Sequence, residues 1–455
     1  MQDLKNNAYS HVIDLDRIHH LERGSKELII DRINGKWVML PKGVSALLPV
    51  LSMNPDTLSN QRLKDSSRQL SDILLKQGIG STMPLQHETL NTVILKLTKA
   101  CNLGCSYCYD FEKEDKARHQ QLEITLSAIY QAIDMADKKI NFILHGGEPM
   151  LVWEMVKELV IKGHQYGQAK GVQVYFIGQT NLTRVDQEKI DFSRKFDIRW
   201  GVSIDGPPNI NDKFRITHNG KGSLSVLLEA IDAFPTFISR CNAMSTITSA
   251  NHTNLPEVAH YIMGLGFSGW DWTLFQAIGR GRNQTVFDYD IDLLLKSWDA
   301  LFDEVLSGVF DSFPIEPILK YLRNFLDGPV YNMCMRSKCG AGRDLLSVSF
   351  DGTVEACDCI DPCGPLASLG HVTKGGLKQA YSTPKADLIR SRDVETLQCG
   401  SCLWQAVCGG TCMARAGGIE KISKDECLMS LHIFDRISLS LSQSDALIKY
   451  RKSCD

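Results

Sequence analysis

The chain has 455 residues, 43% of them hydrophobic and 23% charged, with a net charge of −3. That length predicts two or three domains. The slightly acidic balance argues against a phosphate-binding surface, and no apolar run reaches signal-peptide or bilayer-spanning length. The expectation is a cytoplasmic protein with no nucleic-acid and no membrane partner. The 15 cysteines are the anomaly. Three fall within 101–108, five within 334–363 and five within 399–427, leaving Cys241 and Cys454 alone. In a cytosolic chain of this size such clustering reads as metal ligation rather than a disulfide framework.

Residues 1–90 read as a small separate module. The apolar-rich runs Glu27–Ile33 and Lys36–Leu40 flank Asn34-Gly35, the strongest short hairpin signal, because both turn positions then take φ > 0. Helical segments are predicted near Ser45–Leu51 and Leu63–Gln77, with Gly78 ending the second. Two strands with two or three helices suit a winged-helix-like unit.

Residues 91–310 alternate strand and helix. Six strands are predicted, at Val93–Leu97, Ile140–Leu144, Val172–Ile177, Ile198–Ser203, Asn242–Thr248 and Trp270–Phe275. Between them, Leu126, Ile129, Tyr130 and Ile133 share one helix face, as do Leu227, Leu228 and Ile231. Six βα units in series predict an α/β fold with a parallel sheet, either doubly wound or a partial (β/α)6 TIM-like barrel. Chemistry then belongs at the C-terminal strand ends. Residues 325–435 are cysteine-rich and loop-rich, with too little apolar periodicity for a core of their own, so metal is expected to supply much of their folding energy. Residues 436–455 read as a polar helical tail.

Directly after the first strand comes Cys101-x3-Cys105-x2-Cys108. Three thiolates on one short loop suit a four-iron cluster with one iron left open, whereas a structural zinc normally takes four protein ligands. A zinc site or buried free thiols remain the alternatives from spacing alone. Gly146-Gly147-Glu148-Pro149 follows the second strand, Gln179-Thr180-Asn181 the third, and Ser203-Ile-Asp205-Gly206-Pro207, then Arg215, the fourth.

Together these motifs resemble the radical S-adenosylmethionine (SAM) superfamily, whose loop reads C-x3-C-x-aromatic-C with Tyr107 at the aromatic place. The resemblance implies that Cys101, Cys105 and Cys108 hold a 4Fe–4S cluster. It also implies that Tyr107 lies near the SAM adenine and that Gly146, Gly147 and Glu148 meet its amino group. Asn181 matches the family's TN motif. Ser203 and Arg215 would bind the carboxylate, a task that suits a guanidinium. His145 departs from the sulfatase maturases, which have Gln before GGEP, and so puts the local hydrogen bonding at SAM in question.

Cys339-x12-Gly352-x4-Cys357, then Cys399-x2-Cys402-x5-Cys408-x3-Cys412 and Cys427, resembles the seven-cysteine SPASM signature, with Cys334 as an eighth thiol. Eight thiolates fit two fully ligated four-iron clusters, though C-x2-C pairs also make zinc sites. The family assigns Cys334, Cys339, Cys357 and Cys412 to a first auxiliary cluster and Cys399, Cys402, Cys408 and Cys427 to a second. Cys359 and Cys363 fall outside the signature and are given no catalytic role. Asp358, next to Cys357, matches the proton acceptor of sulfatase maturases, with a solvated loop acid as the plain reading.

By this resemblance the chain would hold three 4Fe–4S clusters and SAM, with a C-terminal SPASM domain over 325–435. Its N-terminal module is similar to the element with which peptide maturases grip a leader by adding it to a sheet edge. The function implied is hydrogen abstraction by a 5′-deoxyadenosyl radical and crosslinking of a ribosomally made (RiPP) precursor peptide, leader plus core, of the cyclophane- or ether-forming kind. A flavodoxin or ferredoxin would supply electrons. Sulfatase-maturase-like oxidation of Cys or Ser and thioether formation share the architecture. A non-catalytic iron–sulfur carrier, or a zinc-stabilised binding module, is the reading from another class.

Overall fold

The computed structural model describes residues 14–51, 58–82, 89–111, 118–329 and 332–455. Parts of the predicted N-terminal module, at 1–13, 52–57 and 83–88, therefore lie outside the described residues. The module contains a three-stranded antiparallel sheet in the order β1 (Ile18–Arg23), β2 (Lys26–Asp31), β3 (Trp37–Pro41). The sequence reading had only the last two strands. A helix, Gln61–Lys76, covers one face and ends before Gly78, whose φ is +75°. Ile29, Leu70, Leu74 and Ile79 form a small core between them.

The Asn34-Gly35 turn differs from the expectation. Only Gly35 takes a positive φ, +69°. Asn34 works through its side chain, which donates to the carbonyls of Gly78 and Ser81 at 2.9 and 3.0 Å and accepts from the Lys36 N–H at 2.9 Å. The connection is thus a wider turn, closed by the Asp31 N–H on the Lys36 carbonyl at 2.8 Å. Asn34 ties it to the helix end.

All six predicted strands of the middle region form. They are β4 (Thr92–Lys96), β5 (Lys139–His145), β6 (Gln173–Thr180), β7 (Arg199–Ser203), β8 (Asn242–Ile247) and β9 (Gly269–Leu274), each parallel to the next. The fold is α/β, a partial (β/α)6 barrel with a cysteine-rich C-terminal part. Parallel strands covered by helices are buried on both faces, and every residue of β4 is buried. The helix Leu122–Met135 buries Leu126, Ile129 and Ile133 against this sheet, as its periodicity predicts.

The cysteine-rich region, expected to have too little core of its own, draws apolar support from the barrel. Three short strands, β10 (Leu345–Val348), β11 (Thr353–Glu355) and β12 (Gly370–His371), extend the barrel sheet to nine strands. β10 lies parallel to β4 with Leu346 opposite Val93, and β11 and β12 follow antiparallel. Leu346, Val348 and Val354 join the same hydrophobic core as the barrel. The region borrows a core, so burial supports it.

Two helices flank the cysteine-rich part. Glu316–Asp327 leads into the cysteine-rich part, and Lys424–Gln443 runs unbroken through residue 435, where the sequence reading divides the chain. The N-terminal sheet leans on both. The Trp37 ring stacks on Phe325 at 4.8 Å, and the Arg23 guanidinium bonds Ser438 and Asp435. No helix among the described residues is long and apolar enough to cross a membrane.

Candidate active site

Every SAM-site residue inferred from sequence lines one cavity of about 310 Å³. Its walls include Cys101, Cys105, Cys108, Tyr107, Gly146, Gly147, Glu148, Asn181, Ser203, Arg215 and Asp358. All but Asp358, which follows β11, come from the C-terminal ends of β4 to β7 and the segments after them, where an open parallel sheet places its chemistry.

The cysteine loop is clamped from both sides. Gly104 and Ser106 donate their N–H groups to the carbonyls of Ile216 and Phe214 at 2.7 and 3.0 Å, and the Arg280 N–H reaches the Cys108 carbonyl at 2.9 Å. Gly279 lies so close that a Cβ there would fall 2.4 Å from the Cys108 oxygen. Two donors face the Cys101 sulfur: the Leu103 N–H at 3.5 Å and the Asn181 amide at 3.7 Å. Hydrogen bonds to sulfur are one lever by which a protein tunes an iron–sulfur centre.

The glycines after β5 line the cavity and also let the turn press against the backbone leading into the cysteine loop. A Cβ on Gly147 would lie 2.0 Å from the Ala100 oxygen, and one on Gly146 (φ +110°) 2.7 Å from the Thr98 oxygen. Glu148 is buried and accepts from Met150 N–H, Thr180 Oγ1 and Asn181 N–H at 3.0, 2.7 and 2.7 Å. Its carboxylate joins the ends of β5 and β6 and sets Asn181 beside the loop.

Tyr107 packs edge-on against Phe214 and Phe287 and donates its hydroxyl to Asp205 at 2.5 Å. Asp205 also pairs with Arg215 Nε at 3.1 Å, and the guanidinium lies over the Tyr107 ring, 5.6 Å from its centroid. Asp205 thus fixes both side chains, and the cavity-lining Arg215 keeps a forked pair of terminal N–H groups suited to a carboxylate. The Ser203 hydroxyl accepts from Gln179 at 3.3 Å.

On the opposite wall, Asp358 accepts from the Tyr109 hydroxyl at 2.9 Å, and that hydroxyl also lies 3.4 Å from the His145 ring nitrogens. Behind them is a buried charge cluster. Lys96 Nζ lies 3.1 Å from Asp110 and 3.7 Å from Glu355. Burial raises the Glu355 carboxyl to about 7 against the pull of Lys96. For Asp358, burial is outweighed by His145, Lys96 and Tyr109, which hold it below its ordinary value. His145 is itself pushed down by burial, against the pull of Asp358.

Sequence reasoning missed Tyr109, Asp110, Lys96, Glu355 and Gly279. A signal existed for Lys96, a charge inside an otherwise apolar run in a buried parallel strand.

The cysteines of the second array gather in two neighbouring places. Cys334, Cys339, Cys357 and Cys412 line a cavity of about 320 Å³, together with Cys359 and with Cys408 of the other set. Cys399 is raised to about 11 by burial and by its neighbours Cys408, Cys402 and Cys427, so those four also converge. Cys363 is exposed.

The donor chemistry fits iron–sulfur clusters better than single zinc ions. A tetrahedral zinc with bonds of about 2.3 Å draws its sulfurs to roughly 3.8 Å from one another. Among the described residues, only Cys357, Asp358 and Cys359 bring three ligand atoms within 4.8 Å of one another. The trio at 101–108 is therefore spread wider than one zinc ion would draw it. Burial, with Glu148 for Cys101 and Cys105 for Cys108, pushes both thiols up to about 12, so metal binding there must release protons.

Residues 95–261 match the model of the radical SAM superfamily. Over 341 residues the chain is 22% identical to the cysteine-type anaerobic sulfatase-maturating enzyme of Clostridium novyi, covering 71% of this chain and 88% of that enzyme. In structure it is similar to native anSMEcpe with bound AdoMet and Kp18Cys peptide, with TM-score 0.67 and 21% identity, over 77% of this chain and 98% of that one. It is also similar to Streptococcus suis SuiB bound to its precursor peptide SuiA, with TM-score 0.57 and 14% identity, over 90% and 98% of the two chains.

Proposed function

Taking as premise that residues 95–261 form a radical SAM domain, we propose that this protein is a peptide maturase that crosslinks a ribosomally made precursor. The domain type works with a 4Fe–4S cluster and SAM. When bound, they supply a one-electron cleavage of the sulfonium and a radical able to take hydrogen from carbon. Cys101, Cys105 and Cys108 would hold the cluster. Arg215, fixed by Asp205, would pair with the SAM carboxylate, helped by Ser203 and Asn181, while Tyr107 closes the wall beside them.

The observation that carries the reading is that Asp358 shares the cavity with those residues. It is held by Tyr109 beside His145 and stands next to the first set of auxiliary thiols. A carboxylate held ionised there can receive a proton from substrate. The two sets of four thiols would hold two further clusters, the first placed to receive an electron. Together with the domain's own cluster, that makes three. The relatives with bound peptides support a peptide in the cavity. The sheet of the N-terminal module supports a leader-recognition role for residues 1–90, with 91–310 as the radical domain, 325–435 as the auxiliary domain and 436–455 as the tail. Cytoplasmic location and a flavodoxin or ferredoxin donor belong to the same proposal.

A second reading, oxidation of Cys or Ser on a protein, is favoured by the likeness to sulfatase-maturating enzymes. One assay separates the two. Reconstituted, reduced protein is incubated with SAM and with short peptides encoded beside its gene. A crosslinked product loses two hydrogens and stays silent to a hydrazide probe, whereas an aldehyde product reacts with it. Replacing Cys101, Cys105 and Cys108 by Ala should abolish 5′-deoxyadenosine formation and leave about eight irons, those of two four-iron clusters. Persistent cleavage in that variant would overturn the assignment of the loop.

A further inference from the structure

Cys359 lies outside the cysteine pattern that organises the other eight C-terminal ligands, yet the fold does not leave it at the edge. Its Sγ, the Sγ of Cys357 and an Asp358 oxygen lie mutually within 4.8 Å. It lines the auxiliary cavity with Cys334, Cys339, Cys357 and Cys412. It also lines the SAM-side cavity, which Cys357 does not. Gln276 at the end of β9 donates to its carbonyl at 3.0 Å and so pins the segment. Cys363, four residues on, is exposed and lines neither cavity.

A fully ligated four-iron cluster uses four thiolates, and six thiols line this cavity; Cys408 belongs to the second set of four, and only Cys359 has no place in either set. We infer that Cys359 is an alternative donor at the first auxiliary site, able to take the iron that Cys357 would hold. The inference rests on the proposed first auxiliary cluster. The exchange is redox-neutral: one Fe–S bond breaks, another forms, and a proton passes from the incoming thiol to the outgoing one. Because Cys359 alone of the pair faces the SAM-side cavity, the exchange would bring that ligand bond to the wall shared with substrate.

The test is iron and acid-labile sulfide content, with the electron paramagnetic resonance of the reduced clusters, in anaerobically reconstituted full-length protein. Wild type, Cys357→Ala and Cys359→Ala should each hold about twelve irons, the content of three four-iron clusters, and Cys357→Ala/Cys359→Ala about eight. Cys357→Ala should also show shifted g-values at an unchanged spin count. A fall to about eight irons in Cys357→Ala alone, or about twelve retained in the double variant, overturns the inference and leaves the proposed function standing. About four irons in wild type overturns the auxiliary clusters and this inference with them. Should Cys357→Ala fail to fold, Cys357→Ser and Cys357→Ser/Cys359→Ser give the same readings.

Discussion

A methyl group added at Gly147 would meet the Ala100 carbonyl oxygen at 2.0 Å, and backbone on both sides leaves little room to yield. Gly147→Ala should therefore push the cysteine loop away from β5. Overpacking of this kind costs about 1–3 kcal/mol. The expected result is a lower melting temperature and loss of the SAM-cleaving cluster, read as 5′-deoxyadenosine yield per iron. An unchanged yield would show that the loop tolerates the displacement. At this scale the sequence was informative wherever ligands lie close along the chain, because spacing alone groups Cys101, Cys105 and Cys108. It was silent on pairs such as Tyr109 with Asp358, which are 249 positions apart and meet only through the fold. The glycine motif was legible as a site, but its contact with the backbone at Thr98 and Ala100 was not, since nothing local names that neighbour.

Among the elements, the six barrel strands were legible because each is an apolar run bounded by turn residues. β1, Ile-His-His-Leu-Glu-Arg, reads as polar and becomes a strand by pairing along β2. β10 is four residues long, too short to call from pattern, and forms because β4 presents an open edge. Its pairing makes a specific expectation. Leu346 is fully buried opposite Val93, so Leu346→Ala should cost about 2–5 kcal/mol, the range for truncating a core leucine. Limited proteolysis should then cut the cysteine-rich part before the barrel. Simultaneous cutting would mean that β10 does not hold the two together.

For the whole molecule, composition suggested a metal-dependent C-terminal part beside an independent barrel. The structure instead runs one core through both, which no count of cysteines could reveal. Chelating the iron under reducing conditions should therefore lower the melting temperature while leaving most far-ultraviolet dichroism at 25 °C intact, in a single transition. Loss of more than half the signal would return the folding energy to the metal.

The β10–β4 ladder also acts as a ruler. The loop bearing Cys101 leaves the C-terminal end of β4, and the segment bearing Cys357 leaves β11, two strands away across β10. The gap an electron would have to tunnel is therefore graduated in strand steps of roughly 3.3 Å. Loop substitutions can shift either end of that gap, whereas its strand-built part can change only by a slip of register, which would turn buried faces outward.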